Sequence, residues 1–576
     1  MNITRHKRLG RVAACTALAL TAGMALAGTA AADGAAPGVP AKPQLHRSEP
    51  VAPLPVESLP VQRQGLAARD AAAPRFDVNG DGLEDLLYRQ IGNTYYMKTR
   101  VGDDQKFELL GGNEQETFKD VIPVGDLNHA LGDGTRPELL TLSVTGKLSL
   151  YGDISATGAG YASWSGSGWN IYNKLAAPGD LTGDGTPDLL ARKYSGELYL
   201  YPATGNISTP FRAPVKVGAG WQGYDQLVGA GDLDADGHAD VLGRTPSGNL
   251  YFYKGTGKAA APFRAGVKVG YGWGVYNQIL PAGDRNGDGD VDVLARDAAG
   301  TIWYYGSNGN GTFAPRQKSG TGWEWTGLYA GQGGIPAHGK YQILGRNSAG
   351  TLFEYAASAN GKLSAREQVS DTGGWAGPVT VHFPSSLGTQ GYASFLWRYD
   401  GQLWRGDQFV GHGWGVYNSL AGTGDLSGDG IGDLLARDKS GNLYLYRSNG
   451  GTGFYGRIKV GAGWSGYNAL VGAGDYTGDG RADLLARTGS GSLYLYPGTG
   501  NAKAPFKARV KIGTGYGTYN KLASAGDMTG DGRADLIGVD SRGNAYRYAG
   551  TGLGGAKTLS SRVLLGSGWN TYVSLH

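Results

Sequence analysis

The sequence predicts an all-β fold, a β-propeller built from about ten four-stranded blades of roughly 50 residues each. Three observations predict it. A nine-residue Asp-Gly loop recurs at a nearly fixed spacing. Each copy is followed by a short apolar run and then by alternating apolar and polar residues, the signature of strands half-buried on one face. Glycine supplies 102 of the 576 residues, which suits a chain that turns often. No stretch beyond the N-terminus shows a helical apolar period. The blades are expected to form one large ring or two smaller propellers.

Taken in order, the chain opens with Arg5, Lys7, Arg8 and Arg11, then an apolar run from Val12 to Leu26 that is too short for a comfortable membrane span. Residues 1–32 read as a signal peptide, with Ala30-Ala31-Ala32 as the cleavage site and Ala25-Leu26-Ala27 as the alternative. The protein is therefore expected to be secreted and extracellular, with cell-wall association as an option. Cys15 is the only cysteine. The stretch Val12-Ala13-Ala14-Cys15 mimics a lipoprotein box, but the apolar core follows that cysteine instead of preceding it. An exported chain without a disulfide needs another staple. The sequence holds 53 Lys and Arg against 49 Asp and Glu, and loss of the four basic leader residues leaves it formally neutral. That balance is no nucleic-acid signature, although cations held in the acidic loops would leave the rest net positive and open to an anionic cell wall. Residues 33–74, punctuated by Pro37, Pro40, Pro43, Pro50, Pro53, Pro55, Pro60 and Pro74, read as a Pro/Ala-rich linker or propeptide, extended or disordered. No later segment is apolar enough to span a membrane.

The repeated loop is the candidate metal site. In Asp180-Leu181-Thr182-Gly183-Asp184-Gly185-Thr186-Pro187-Asp188, oxygen-bearing side chains fall at positions one, three, five and nine. A glycine at six permits the sharp turn, and the carbonyl at seven can point inward. That donor set suits calcium better than magnesium, which demands near-ideal octahedral geometry and keeps its waters. The intact copies supply Asp77, Asn79, Asp81, Leu83 and Asp85; Asp180, Thr182, Asp184, Thr186 and Asp188; Asp232, Asp234, Asp236, His238 and Asp240; Asp284, Asn286, Asp288, Asp290 and Asp292; Asp425, Ser427, Asp429, Ile431 and Asp433; Asp475, Thr477, Asp479, Arg481 and Asp483; and Asp527, Thr529, Asp531, Arg533 and Asp535. The fourth residue of each set contributes only its backbone oxygen. Seven Ca²⁺ sites are expected. An EF-hand does not fit, because position twelve is Ala191 or Ala295 where a bidentate Glu is needed, and no helices flank the loop. A metal-free Asp-Gly turn is the other reading; against it stands the mutual repulsion of three carboxylates in every copy. Degenerate units around Asp126, near Gln332 and from Phe383 to Ser394 fill the long gaps and carry no assigned metal site.

One unit shows the grammar of a blade. Gly220 to Val228 reads as a first strand, Asp240 to Arg244 as a second, Asn249 to Tyr253 as a third and Phe263 to Gly270 as a fourth. The Asp-x-x-Gly-Asp-Gly-x-x-Asp core followed by an apolar pair resembles the FG-GAP/VCBS repeats of integrin α-subunit propellers and of many secreted bacterial proteins. The resemblance covers residues 75–576. It implies a β-propeller with calcium in blade hairpin loops, and it implies no single activity. At the end of the chain, Gly568 to Leu575 repeats the first-strand pattern. The first unit, at Phe76-Asp77, lacks such a strand, so the last strand is expected to complete the first blade and remove an open edge. Any boundary between two propellers is expected between residues 330 and 400.

The second repeated feature is aromatic. Gly-Trp followed three residues later by Tyr occurs at Trp169/Tyr172, Trp221/Tyr224, Trp273/Tyr276, Trp414/Tyr417, Trp464/Tyr467 and Trp569/Tyr572, with Tyr516/Tyr519 as a variant. One aromatic per blade resembles the tachylectin-type propeller lectins, and such rings can stack on sugars. The other reading has them fill space between adjacent blades. Catalysis finds little support. The histidines are scattered, there is no Gly-x-Ser-x-Gly, His-Glu-x-x-His or P-loop, and the paired carboxylates are already used by the loops. Arg405-Gly406-Asp407 matches an integrin-ligand tripeptide that this composition yields by chance. The chain is thus expected to be a non-enzymatic binding module for extracellular or cell-wall glycans. The alternative is a protein-protein interaction scaffold or inhibitor, with a secreted hydrolase third. A pocket repeated on each blade favours the first, and one large patch built from the divergent units favours the second. No oligomeric state follows from the sequence.

Overall fold

Alternation builds the strands. Leu198–Tyr201, Leu443–Tyr446 and Leu493–Tyr496 all read Leu-Tyr-Leu-Tyr, with the leucines buried and the tyrosines half-buried, as the period of two requires. The computed structural model describes residues 45–46, 52–57, 74–100, 103–109, 117–128, 136–152 and 154–576. The signal peptide expected over 1–32 and most of the linker over 33–74 lie outside the described residues.

The strands form ten antiparallel sheets of the propeller-blade kind, numbered here by their second strand. Blade 3 runs Tyr172–Gly179, Asp188–Lys193, Leu198–Tyr201 and Val215–Gly218, and blades 4, 5, 8, 9 and 10 repeat that up-and-down order. Blades 1 and 6 differ. In blade 1, Leu86–Gln90, Tyr95–Arg100 and Asp103–Lys106 take their inner strand from Thr326–Tyr329, with Tyr88 opposite Tyr329. In blade 6, Gln342–Asn347 takes its inner strand from Tyr572–Leu575, with Gly345 opposite Leu575. The last strand therefore does not complete the first blade, as the sequence led us to expect; it completes the sixth.

The cause is that the units close as two rings of five. Hydrophobic clusters join blade 1 to 2 through Leu87 and Val121, 2 to 3 through Ile122 and Leu175, 3 to 4 through Leu190 and Val241, 4 to 5 through Leu242 and Ile279, and 5 back to 1 through Leu294 and Tyr88. In the second ring, Leu344 meets Val381, Leu396 meets Leu434, Leu435 meets Leu484, Leu485 meets Leu536, and Ile537 meets Ile343. Each such leucine or isoleucine contributes roughly 1.5–3 kcal/mol by leaving water, so a ring is held by the sum of its five seams.

Between the rings the chain crosses the axis of the first. Ala330 N–H donates to Leu87 O at 2.9 Å, Gly331 N–H to Val121 O at 2.9 Å and Gly333 N–H to Ile279 O at 3.0 Å, while Leu227 N–H donates to Gly333 O at 2.8 Å. Part of the linker is also ordered against the blades. Val56–Glu57 pairs with the outer strand Gln317–Thr321, and Leu45 bridges Ser370. The expected first strand from Gly220 to Val228 is broken as well. Gly220, at φ 89°, starts a 3₁₀ turn over Trp221–Gly223, and the strand begins at Gln226. Among the described residues, eight turns of this kind open on a left-handed glycine, a conformation that costs glycine little.

Candidate functional site: acidic loops and aromatic rims

The acidic loops share one hydrogen-bond plan. The position-one carboxylate caps the turn: Asp180 accepts from Gly183 and Gly185 N–H at 2.7 Å each, and Asp284 from Gly287 and Gly289 at 2.8 Å each. The position-five carboxylate accepts from position seven, as Asp429 does from Ile431 at 3.0 Å and Asp479 from Arg481 at 2.9 Å. The position-nine carboxylate is fully buried and accepts from position two, as in Asp188 from Leu181 at 2.9 Å, Asp240 from Leu233 at 2.8 Å and Asp535 from Met528 at 2.8 Å. Two degenerate units keep this last bond with another acceptor. Glu138 accepts from Leu127 at 2.6 Å, and Ser394 Oγ accepts from Leu387 at 2.9 Å.

The backbone thus offsets part of the repulsion that the sequence reading assigned wholly to a cation. Much remains. Burial, with Asp425 and Asp429 close by, pushes Asp433 up to about 8. Burial, then Asp234 and Asp232, pushes Asp240 up to about 8 against its two backbone bonds, and burial raises Asp292 to about 7. Oδ1 of Asp85, Asp234 and Asp433 is buried without a hydrogen-bond partner. Oxygens of Asp232, Asp234 and Asp240 lie within 4.8 Å of one another, with the Lys254 ammonium 2.8 Å from Asp236 and bonded to Asp234. Hard oxygen donors, converging carboxylates and orphaned oxygens are the chemistry of a calcium site, and these residues fit that ion.

The two rings present their loops differently. A Cβ added at Gly80, Gly82, Gly185 or Gly237 in the first ring would touch nothing. In the second ring the loops face the first ring. Asn170 Nδ2 donates to Gly428 O at 3.0 Å, Asn173 Nδ2 to Asp479 O at 3.0 Å, and Arg296 Nη2 to Gly530 O at 2.8 Å. At Gly532 a Cβ would lie 2.2 Å from Ile335 O, so glycine there serves close approach as well as the turn. A cavity of about 420 Å³ at this junction is lined by Asp425, Asp475, Asp527, Lys119, Tyr194 and His338.

The predicted aromatic residues lie at the blade seams. Trp169, Trp221, Trp273, Trp414, Trp464 and Trp569 are only 6–8% exposed, and Tyr172, Tyr276, Tyr417, Tyr467 and Tyr572 are buried too; Tyr224 is half-buried. Each tryptophan packs on a third-strand tyrosine, with Trp221 4.7 Å from Tyr253 and Trp464 4.7 Å from Tyr496. That tyrosine shares a hydrogen bond with the first-strand tyrosine. The hydroxyl pairs Tyr172–Tyr201, Tyr417–Tyr446 and Tyr467–Tyr496 are each 2.6 Å apart. The tryptophan faces are thus covered, and the half-exposed groups at each rim are the third-strand aromatics Tyr199, Tyr251, Trp303, Tyr444 and Tyr494 with their hydroxyl-paired neighbours. We did not single these out from sequence, although the outward tyrosines of each Leu-Tyr-Leu-Tyr alternation were the signal.

Among known proteins, residues 180–243, 425–486 and 475–538 match the FG-GAP-like repeat family. No curated protein sequence matches the chain. Among solved structures, an Agrocybe aegerita lectin described as specifically recognising non-reducing terminal N-acetylglucosamine is 16% identical. The alignment covers 78% of this chain and 94% of that one, with a TM-score of 0.24. BBS1N in complex with ARL6DN is 12% identical over 67% of this chain and 93% of that one, with a TM-score of 0.22. No helix among the described residues is long and apolar enough to cross a membrane.

Proposed function

This chain is an FG-GAP repeat protein, and from that premise we propose that it is an exported, calcium-holding double propeller that binds extracellular glycans. One observation carries the glycan reading: a half-exposed aromatic shelf edged by a hydroxyl pair recurs from blade to blade. Aromatic faces pack against the C–H faces of sugars while phenol hydroxyls exchange hydrogen bonds with ring hydroxyls. Many weak copies on rigid rings add up to avidity for a repetitive polymer. Calcium in the seven loops would neutralise the converging carboxylates and hold the turns. The basic and apolar leader supports export.

The experiment is a broad glycan array probed with the exported protein in calcium and again in chelator. Selective binding that Tyr494→Ala weakens, with melting temperature retained, is the expected result. Protein of verified fold that binds no glycan on the array overturns the reading and moves the search to secreted and surface proteins.

A further inference from the structure

The aromatic shelves are not equivalent, and the difference is an arginine. Arg316, Arg457, Arg509 and Arg562 each stand just before an outer strand, in blades 5, 8, 9 and 10. All four are exposed. Each guanidinium carbon stands over a third-strand aromatic ring: Arg316 over Trp303 at 4.0 Å, Arg457 over Tyr444 at 4.4 Å, and Arg509 over Tyr494 and Arg562 over Tyr546 at 4.5 Å. Each also donates to a first-strand hydroxyl, Arg316 to Tyr276 and Arg457 to Tyr417 at 2.6 Å, Arg562 to Tyr519 at 3.2 Å, and Arg509 to Tyr467. None of the ion pairs among the described residues engages them.

The chain contains its own control. Blade 4 has Gly266 at this position. Its aromatic cluster is nevertheless unchanged: Trp221–Tyr253 at 4.7 Å and Tyr224–Tyr253 at 5.9 Å match Trp414–Tyr446 at 4.7 Å and Tyr417–Tyr446 at 5.9 Å in blade 8. The arginine is therefore an addition to the shelf and not a condition for building it. In blade 3, where Pro214 stands, the cation over the third-strand ring is Lys193 of the second strand, 4.4 Å from Tyr199.

We propose that the arginines of blades 8, 9 and 10 form a belt that recognises an acidic polysaccharide, one oxyanion per blade, as three successive contacts. The proposal rests on the glycan reading above and names its class of ligand. The aromatic face and the hydroxyl fix the guanidinium plane, and its remaining N–H groups stay free to grip a carboxylate or sulfate through two parallel bonds. A single exposed ion pair contributes little, so the partner that gains from this arrangement is a polyvalent chain. A nucleic acid fits less well. A duplex carries a phosphate charge about every 1.7 Å, whereas the belt offers one fixed cation per blade with half-exposed phenols beside it.

The test measures binding of the full exported protein in calcium buffer to polygalacturonate, heparin, dextran and duplex DNA over a salt series. The parent protein is compared with the triple variant R457Q/R509Q/R562Q. We expect polygalacturonate or heparin to bind best. The triple variant should lose at least tenfold, at an unchanged melting temperature, and the slope of log affinity against log salt should fall by roughly two to three. Should the triple variant not fold, R509Q alone is expected to lose about threefold with its slope reduced by roughly one. Acidic polymers held equally by parent and folded variant overturn the belt. Dextran bound as tightly as the acidic polymers overturns the belt and leaves the glycan reading standing. DNA bound as tightly overturns the assignment to glycans, and a parent that binds neither acidic polymer overturns the belt and leaves the glycan reading to the array.

Discussion

Asp225 offers the sharpest test of how the rings are joined. In other blades the residue after the first-strand tyrosine is asparagine, and its Oδ1 accepts from an arginine Nε. The bonds from Arg192 to Asn173, Arg296 to Asn277, Arg437 to Asn418 and Arg487 to Asn468 all measure 2.9 Å. Asp225 does this for Arg244 at 3.0 Å, adds a second bond to Nη2 at 2.7 Å, and reaches Arg533 of the second ring at 3.4 Å. The side chains of Arg244, Asp225 and Arg533 are 2%, 9% and 12% exposed. Asp225→Ala leaves one arginine without its carboxylate and another with only Asp531, 2.6 Å away. Removing one partner of a buried pair costs about 3–5 kcal/mol. Asp225→Asn keeps the bond that other blades make with asparagine, so its cost should be nearer the lower figure of about 1.5–3 kcal/mol for one charged hydrogen bond. Urea unfolding followed by tryptophan fluorescence reads both, at constant slope. Equal midpoints for the two variants would refute the account, because they would mean that the Nε bond kept by asparagine carries no stability at this site.

Other expectations follow from the same geometry. Elemental analysis should find calcium in the exported protein, Asp184→Ala should remove one ion while sparing the rest, and chelation should lower the melting temperature. Each site held at a hundred times its Kd adds about 2.7 kcal/mol, so an unchanged melt in excess chelator rules the stabilising role out. Trp464→Ala should cost about 3–5 kcal/mol as a large-to-small change in a packed seam; a loss of sugar binding with stability intact would return that ring to the ligand site. Burial, with Lys340 and Arg346 adding to it, pushes His576 down to about 3, and burial beside His576 and Arg398 holds His382 well below its usual value. The unfolded chain then binds protons below about 6.5 that the folded chain refuses, so stability drains away as pH falls from there toward 3. His382→Leu should flatten this acid limb relative to the parent when calorimetry is run across pH, and an identical limb would remove His382 from the explanation.

Local patterns were legible and closure was not. The strands, the loops and the count of about ten blades all follow from spacings within one repeat, because hydrophobic period and Asp-Gly chemistry act over short distances. Which strand closes which blade depends on residues far apart in sequence. Tyr572–Leu575 and Thr326–Tyr329 are both acceptable inner strands for Leu86–Gln90 on pattern alone, and the seam packing of five blades decides between them. The tryptophans stayed open between two readings for a related reason. A repeated exposed ring and a repeated seam ring give the same sequence signal, and only the third-strand tyrosine that covers each indole tells them apart. Asp225 was hidden because an Asp in place of Asn reads as a small change until Arg533 is seen opposite it.

The pairing of Leu86–Gln90 with Thr326–Tyr329 also sets an order of events during synthesis. A chain delivered N-terminus first presents the second, third and fourth strands of blade 1 long before their inner partner exists. That sheet waits with an open hydrogen-bonding edge while blades 2 to 5 are made, and open edges recruit other chains. Only after Tyr329 emerges can the first ring shut, and only then can residues 330–335 thread its axis and lead out to blade 6. The second ring repeats the delay, since Gln342–Asn347 must wait for the final strand. A ribosome stall anywhere between residues 100 and 326 therefore leaves an adhesive fragment and not a smaller working propeller.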